Sequence, residues 1–313
     1  MNDICGINGI TPFQGLDWRG DSFRRAMPYA IDCGAFSPSV NIKGSLMDFS
    51  TPKVMGILNI TPDSFFEGSR KQTEEEIRQR VMQIKEEGAD IIDIGGYSSR
   101  PNAAFVSEEE EMKRLDYALS ILFEIYPEAI VSVDTFRSVI ARKCVEKYQV
   151  AIINDISAGN LDDKMFDVVA GLKVPYIIMH IQGTPQTMMQ YTIYNNLIQD
   201  VFLYFSEKIN QLYRMGVNDI IIDPGFGFSK TTDQNYHLMN SLENFCIFGL
   251  PILVGISRKK MIRDILNCTP EDSLTGTTVL NTLALTKKAN ILRVHDVKEA
   301  VEAVKLYVTS INS

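Results

Sequence analysis

Along this chain, short apolar runs end on a polar residue again and again. Val54–Leu58, Ile91–Ile94, Ile130–Val133, Ala151–Ile153, Tyr176–Met179, Ile220–Ile222, Ile252–Val254 and Ile291–Val294 have this form. Runs this short and this apolar are the signature of strands buried on both faces, as in a parallel sheet. Between them lie stretches of helical periodicity. Thr73-Glu74-Glu75-Glu76 predicts a helix start, with a capping threonine and an acidic first turn. The periodicity passes through Val81 and Ile84 to a stop at Gly88. Ser107-Glu108-Glu109-Glu110 predicts a second start by the same device. Further helices are predicted at about 135–148, 162–172, 192–215, 234–247, 258–266 with 272–288, and 296–311.

Strands alternating with helices imply parallel strands joined by helical crossovers. Eight such units predict an α/β fold, the closed (β/α)8 TIM barrel. An open doubly wound sheet is the alternative, but it would not place a polar residue after every strand on one shared rim. Ahead of the barrel, Val40–Lys43 and Leu46–Phe49 alternate around Gly44-Ser45 and predict an N-terminal β-hairpin that caps the barrel bottom. Residues 1–39, rich in Gly, Pro, Asp and Ser and without clean periodicity, read as a poorly structured extension. Residues 40–313 read as the barrel domain.

The strand ends carry the candidate chemistry. They are Asn59; Asp93 with Gly95 and Gly96; Asp134; Asn154 and Asp155; His180; Asp223; Ser257-Arg258-Lys259; and Arg293 with His295. In a barrel of this kind all of them converge on one mouth. Any one Asn or Asp alone is as well explained as a turn former or helix cap; the full set is not. His237 falls inside a helical pattern and reads as a surface or packing residue.

The chain of 313 residues has a net charge of −8, with no basic stripe or arm, which argues against nucleic acid as a partner. Against that acidic background, Arg100, Arg258, Lys259, Arg293 and His295 gather cations at the rim and point to an anionic substrate group such as phosphate or pyrophosphate. No GxGxxG or P-loop pattern is present. Asp134, Asn154 and Asp223 are acceptors suited to a flat heterocycle with a guanidine-like edge; a divalent-metal site is the competing use of the same groups. Phe226 and Phe228, alternating with Gly225 and Gly227, suit the lining of a flat cleft. The five cysteines are scattered without metal spacing, consistent with reduced thiols and a cytoplasmic protein. No apolar run approaches the roughly 20 residues needed to span a bilayer, and no secretory signal is evident.

Several of these segments together resemble the dihydropteroate synthase family of pterin-binding barrels. They are Ile57-Leu58-Asn59-Ile60-Thr61-Pro62-Asp63-Ser64-Phe65, Gly88-Ala89-Asp90 through Gly95-Gly96-Tyr97-Ser98-Ser99-Arg100-Pro101, Val133-Asp134-Thr135, Ile153-Asn154-Asp155-Ile156, Met179-His180, Asp223-Pro224-Gly225-Phe226-Gly227-Phe228, Ser257-Arg258-Lys259 and Arg293-Val294-His295-Asp296. The resemblance covers about residues 53–313. It implies condensation of 6-hydroxymethyl-7,8-dihydropterin pyrophosphate with p-aminobenzoate, with Mg2+, to give 7,8-dihydropteroate and pyrophosphate, and it implies a homodimer and a sulfonamide target. By the same resemblance, Asn59 with Mg2+, Arg293 and His295 hold the pyrophosphate. Asp134, Asn154, Asp223, Lys259 and Arg293 bind the pterin. Ser99, Arg100, Pro101, Phe228 and Ser257 form the p-aminobenzoate side, and Asn59, Asp134, Lys259, Arg293 and His295 form the catalytic set. Loops 59–70 and 96–106 are implied lids. Tyr97 stands where the family often has glutamate, Ser99 where it has threonine, Asn102 where it has glycine, and Met189 where it has glutamine. A related pterin-binding methyltransferase and a non-catalytic pterin-binding protein are the other readings of the same barrel.

Overall fold

Two short strands, β1 (Ser39–Ile42) and β2 (Ser45–Asp48), precede the barrel and pair antiparallel as expected. The expected turn at Gly44-Ser45 is corrected by one residue, to Lys43-Gly44. Both of these have positive φ (52° and 87°), and Gly44 N–H donates to Asn41 Oδ1 at 2.8 Å, which fixes the register. This computed structural model describes residues 37–60, 70–99 and 105–313. Arg100, Pro101, Asn102, the greater part of the first expected lid and nearly all of the expected extension lie outside the described residues.

The barrel strands are β3 (Lys53–Asn59), β4 (Ile91–Gly95), β5 (Val131–Asp134), β6 (Ile152–Asp155), β7 (Tyr176–Met179), β8 (Ile220–Asp223), β9 (Leu253–Val254) and β10 (Ile291–Val294). All eight run parallel, in the order β8-β7-β6-β5-β4-β3-β10-β9. The first and last strands of that order meet through a single parallel bridge, Ile222 with Ile252, which closes the barrel.

Helices α1 (Arg70–Glu86), α2 (Glu108–Ile125), α3 (Ser138–Tyr148), α4 (Met165–Leu172), α5 (Leu197–Arg214), α6 (Thr232–Asn240), α7 (Lys260–Leu266), α8 (Leu274–Thr286) and α9 (Val297–Ile311) wrap the outside. Ser107 caps α2 as predicted, accepting from Glu110 N–H at 3.2 Å. By contrast α1 begins before Thr73, so that threonine lies within the helix and does not cap it. The helix expected over 234–247 is split. Thr231 and Gln234 form a capping box that starts α6, and a 3₁₀ segment, Leu242–Phe248, follows.

Strand alternation builds the interior in layers. Met55, Ile91, Ile130, Ile152, Ile177, Ile221, Leu253 and Ile291 form one apolar layer, sealed from below by Val40, Ile42 and Phe49 of the hairpin. Two positions further along each strand come Ile57, Asp93, Ser132, Asn154, Met179, Asp223, Gly255 and Arg293. Polar groups thus begin directly above an apolar floor. The polar residues expected just after the strands are in several cases their last residues: Asn59, Asp134, Asp155 and Asp223.

Candidate active site

Arg293 organises the centre of the mouth. From β10 its Nε donates to Asp93 Oδ2 at 2.6 Å, and a terminal nitrogen donates to Asp134 Oδ2 at 2.8 Å. Asn154 Nδ2 donates to the same Asp93 oxygen at 3.2 Å. Burial opposes the charge of Arg293, but the two carboxylates more than offset it and hold the guanidinium protonated. Asp134 is the converse case. Burial raises its pKa despite Arg293, because Asp93 shares the one guanidinium.

Opposite them, Asp223 is buried and accepts from Gly225 N–H at 2.8 Å. Its pKa is raised by burial, with Lys259 pulling the other way. Lys259 precedes α7, and Arg258 just before it adopts φ +59°, so the expected helix over 258–266 begins only at Lys260. That left-handed turn swings Lys259 Nζ to Phe226 O at 2.5 Å and over the Phe228 ring at 4.5 Å. Burial lowers the Lys259 amine to about 8, against the pull of Asp223.

On the other flank, Asn59 is exposed at the tip of β3. Ser257 accepts from His295 N–H at 3.2 Å, and its hydroxyl shares a hydrogen bond with His295 Nδ1 at 3.0 Å, which orients the imidazole. The β9–β10 register carries Ser257 to His295, next to the flank that ends in Asn59. Arg258 belongs less to the mouth than its place in the sequence suggests, since Asp296 takes its guanidinium at 3.1 and 2.5 Å.

The mouth therefore joins Asp134, Asn154, Asp223, Lys259 and Arg293 on one floor, with Asn59, Ser257 and His295 along one side. The family description "Pterin binding enzyme" matches residues 55–295. The chain is 39% identical to dihydropteroate synthase of Escherichia coli (strain K12), over 84% of this chain and 93% of that protein. The chain belongs to the dihydropteroate synthase family. The Yersinia pestis synthase, solved with a sulfonamide drug complex, superposes with TM-score 0.82 at 35% identity, covering 88% of this chain and 100% of that one. The Xanthomonas albilineans synthase, solved in complex with 7,8-dihydropteroate, superposes with TM-score 0.78 at 32% identity, again over 88% and 100%.

Within this synthase-family mouth, Phe228 joins Ile156, Met179, Ile181 and Met188 in an apolar wall, with Phe136 against it. Ser99 is half-buried near the start of the loop after β4. Two supports of these loops are absent from the sequence reading. Lys230 is buried, and its Nζ reaches His180 Nδ1 at 2.9 Å, Gly225 O at 3.0 Å and Phe228 O at 3.1 Å. Three acceptors suit one ammonium group, although burial lowers its pKa to about 7. His180, a rim residue by its place in the sequence, is buried and held neutral by that burial and by Lys230. Glu111 is the second support. It accepts from Thr135 at 2.7 Å and pairs with Arg137 at 2.5 Å, and Arg137 in turn donates to Val106 O at 2.7 Å. Arg137 also sits over the rings of Tyr97 and Phe136, at 5.4 and 5.2 Å, which braces both ends of the loop after β4. In sequence, Lys230 reads as an exposed loop lysine and Glu111 as one more acid at a helix start, so neither gives a signal.

Proposed function

We propose that this protein catalyses the dihydropteroate synthase reaction, joining 6-hydroxymethyl-7,8-dihydropterin pyrophosphate to p-aminobenzoate. The observation that carries this reading is the arrangement of acids and bases on one floor. Asp93 and Asp134 share Arg293, and Asp223 stands between Lys259 and the buried Lys230. Carboxylates held at that floor favour positive charge on the pterin as its methylene–oxygen bond breaks and the electron pair leaves with pyrophosphate. The carboxylates of Asp134 and Asp223 and the Asn154 amide accept the heterocycle's N–H groups. The Arg293 guanidinium offers its face to the ring. His295 and Asn59 meet the departing diphosphate. The amine nitrogen of p-aminobenzoate, held by the apolar wall around Phe228, then forms the new carbon–nitrogen bond and loses a proton. Positioning does most of this work, and no nucleophilic triad is required.

Mg2+ belongs to this reading as an ion carried by the diphosphate. Among the described residues no cluster of three His, Cys, Asp or Glu side chains is placed to hold a metal. An exposed amide oxygen at Asn59 suits an ion that takes its other ligands from phosphate and water. When bound, Mg2+ neutralises charge on the leaving group. A calorimetric titration with pyrophosphate tests this: Mg2+ strengthens binding to the wild type and not to Asn59→Ala.

Sulfonamides are expected to compete at the Phe228 wall, and Ser99, lacking the methyl of threonine, is expected to alter that affinity. Val279 and Leu283, exposed on one face of α8, are the surface assigned to a homodimer; light scattering at the mass of one chain would refute it. The deciding experiment for the activity incubates the protein with pterin pyrophosphate, p-aminobenzoate and Mg2+. Dihydropteroate and released pyrophosphate support the reading. Their absence from folded wild type ends it and favours a non-catalytic pterin binder, while methyl transfer to a thiol or corrinoid acceptor favours the methyltransferase alternative.

A further inference from the structure

We propose that Asp93 is a positioning residue for this reaction, fixing the plane of Arg293 and the orientation of the Asn154 amide through a single carboxylate oxygen. The inference rests on the transferase reading above and adds a residue that the reading assigns to neither substrate.

The geometry is specific. Asp93 Oδ2 accepts from Arg293 Nε at 2.6 Å and from Asn154 Nδ2 at 3.2 Å, tying β4 to β10 and β6 across the barrel. An amide that spends its nitrogen on Asp93 turns its oxygen away from that carboxylate, leaving it to accept from a ligand. A guanidinium held at Nε by Asp93 and at a terminal nitrogen by Asp134 has its plane set by two strands, which a single contact would not do.

Asp93 is fully buried and its Oδ1 has no hydrogen-bond partner among the described residues. Ser132, its register partner on β5, also carries a buried hydroxyl without one. Losing one partner of a buried ion pair costs stability, so Asp93→Asn is expected to lower the melting temperature while Asp134 still holds Arg293. The acid serves what its one satisfied oxygen holds. Around it lie Arg293 from β10, Asn154 from β6, Asp134 and Ser132 from β5, and, further across the mouth, Asp223 and Lys259; Glu111 of α2 and Asp155 of β6 also act on Asp134. Asp93 also competes with Asp134 for Arg293, contributing to the raised pKa of Asp134.

The test uses the full chain carrying Asp93→Asn, beside wild type as the control for turnover. Pterin affinity by calorimetry is expected to fall about 10- to 100-fold, with the KM for p-aminobenzoate within about twofold of wild type. The acidic limb of kcat/KM for the pterin substrate is expected to move to lower pH, because Asp134 then has Arg293 to itself. A purely structural role moves stability and leaves that limb in place. An unmoved limb together with unchanged pterin affinity, in a folded variant of an active wild type, overturns the proposal; an inactive wild type overturns the transferase reading instead. Should Asp93→Asn fail to fold, nitrogen NMR of arginine side chains in the wild type decides. The Arg293 Nε–H, assigned by its loss in Arg293→Lys, is expected to exchange slowly, and exchange at the rate of an exposed arginine refutes the proposal.

Discussion

Asp223→Asn separates binding from stability at one buried position. The side chain is held by Gly225 N–H at 2.8 Å, and that donor dictates how an amide must sit. The introduced amide keeps an acceptor toward Gly225 only by placing its oxygen there, which turns its NH2 toward the mouth. A pterin edge made of N–H donors then meets a donor. Two charge-assisted hydrogen bonds are lost, at about 1.5–3 kcal/mol each. The sum is about 3–6 kcal/mol, or roughly 10²–10⁴-fold in Kd. Stability is expected to move the other way. Burial raises the Asp223 pKa, so the native state holds this proton more tightly than the unfolded chain does. Ionised Asp223 therefore costs stability, increasingly as pH rises through the native pKa. Asparagine removes that cost, so the melting temperature at pH 8 is expected to equal or exceed that of wild type. Calorimetry with a hydroxymethylpterin and a thermal melt read the two effects. Pterin affinity within about threefold of wild type, or a melting temperature lowered by several degrees, refutes the reasoning.

Three further outcomes are expected. In wild type, kcat/KM for the pterin substrate should rise with pH as Asp134 ionises, from a pKa held above the ordinary aspartate range, and decline above about 8 as Lys259 loses its proton; Lys259→Arg should flatten the alkaline limb, and a limb left in place would remove Lys259 from that role. Ser257→Ala should free His295 Nδ1 and lower kcat about tenfold with pterin affinity unchanged; a loss confined to the KM for p-aminobenzoate would instead put Ser257 on the other substrate. Deleting residues 1–36 should leave turnover and melting temperature unchanged, since the hairpin closes its hydrogen bonding at Phe49 N to Pro38 O; a drop in either refutes the reading of that segment as an extension.

Much of the barrel was legible because strand and floor obey the same two-residue period. Once Ile91 and Ile291 face inward, Asp93 and Arg293 must do so as well. What escaped depends on tertiary partners. Lys230 needs the carbonyls of a folded loop and the His180 ring before its burial makes sense. Arg258 looked like an anion ligand until a left-handed backbone turned it to Asp296 and left Lys259 at the mouth. The contact of Ser257 with His295 follows only from the β9–β10 register. The turn at Lys43-Gly44 slipped by one because Asn41 captures the Gly44 amide, a choice that composition does not reveal. The roles of Arg100 and Pro101 lie outside the described residues.

The barrel has an uneven circumference. Between β8 and β9 the sheet is stitched by one bridge, and β9 itself is two residues long. Asp223 stands on one lip of that seam, and Ser257 and Lys259 follow from the other, linked across it by Lys259 to Phe226 O. A guest that grips both lips acts as a rivet through the thinnest joint of the wall. Filling the mouth and tightening the cylinder are then expected to be one thermodynamic event, read as slower hydrogen exchange in β8 and β9 once the mouth is occupied.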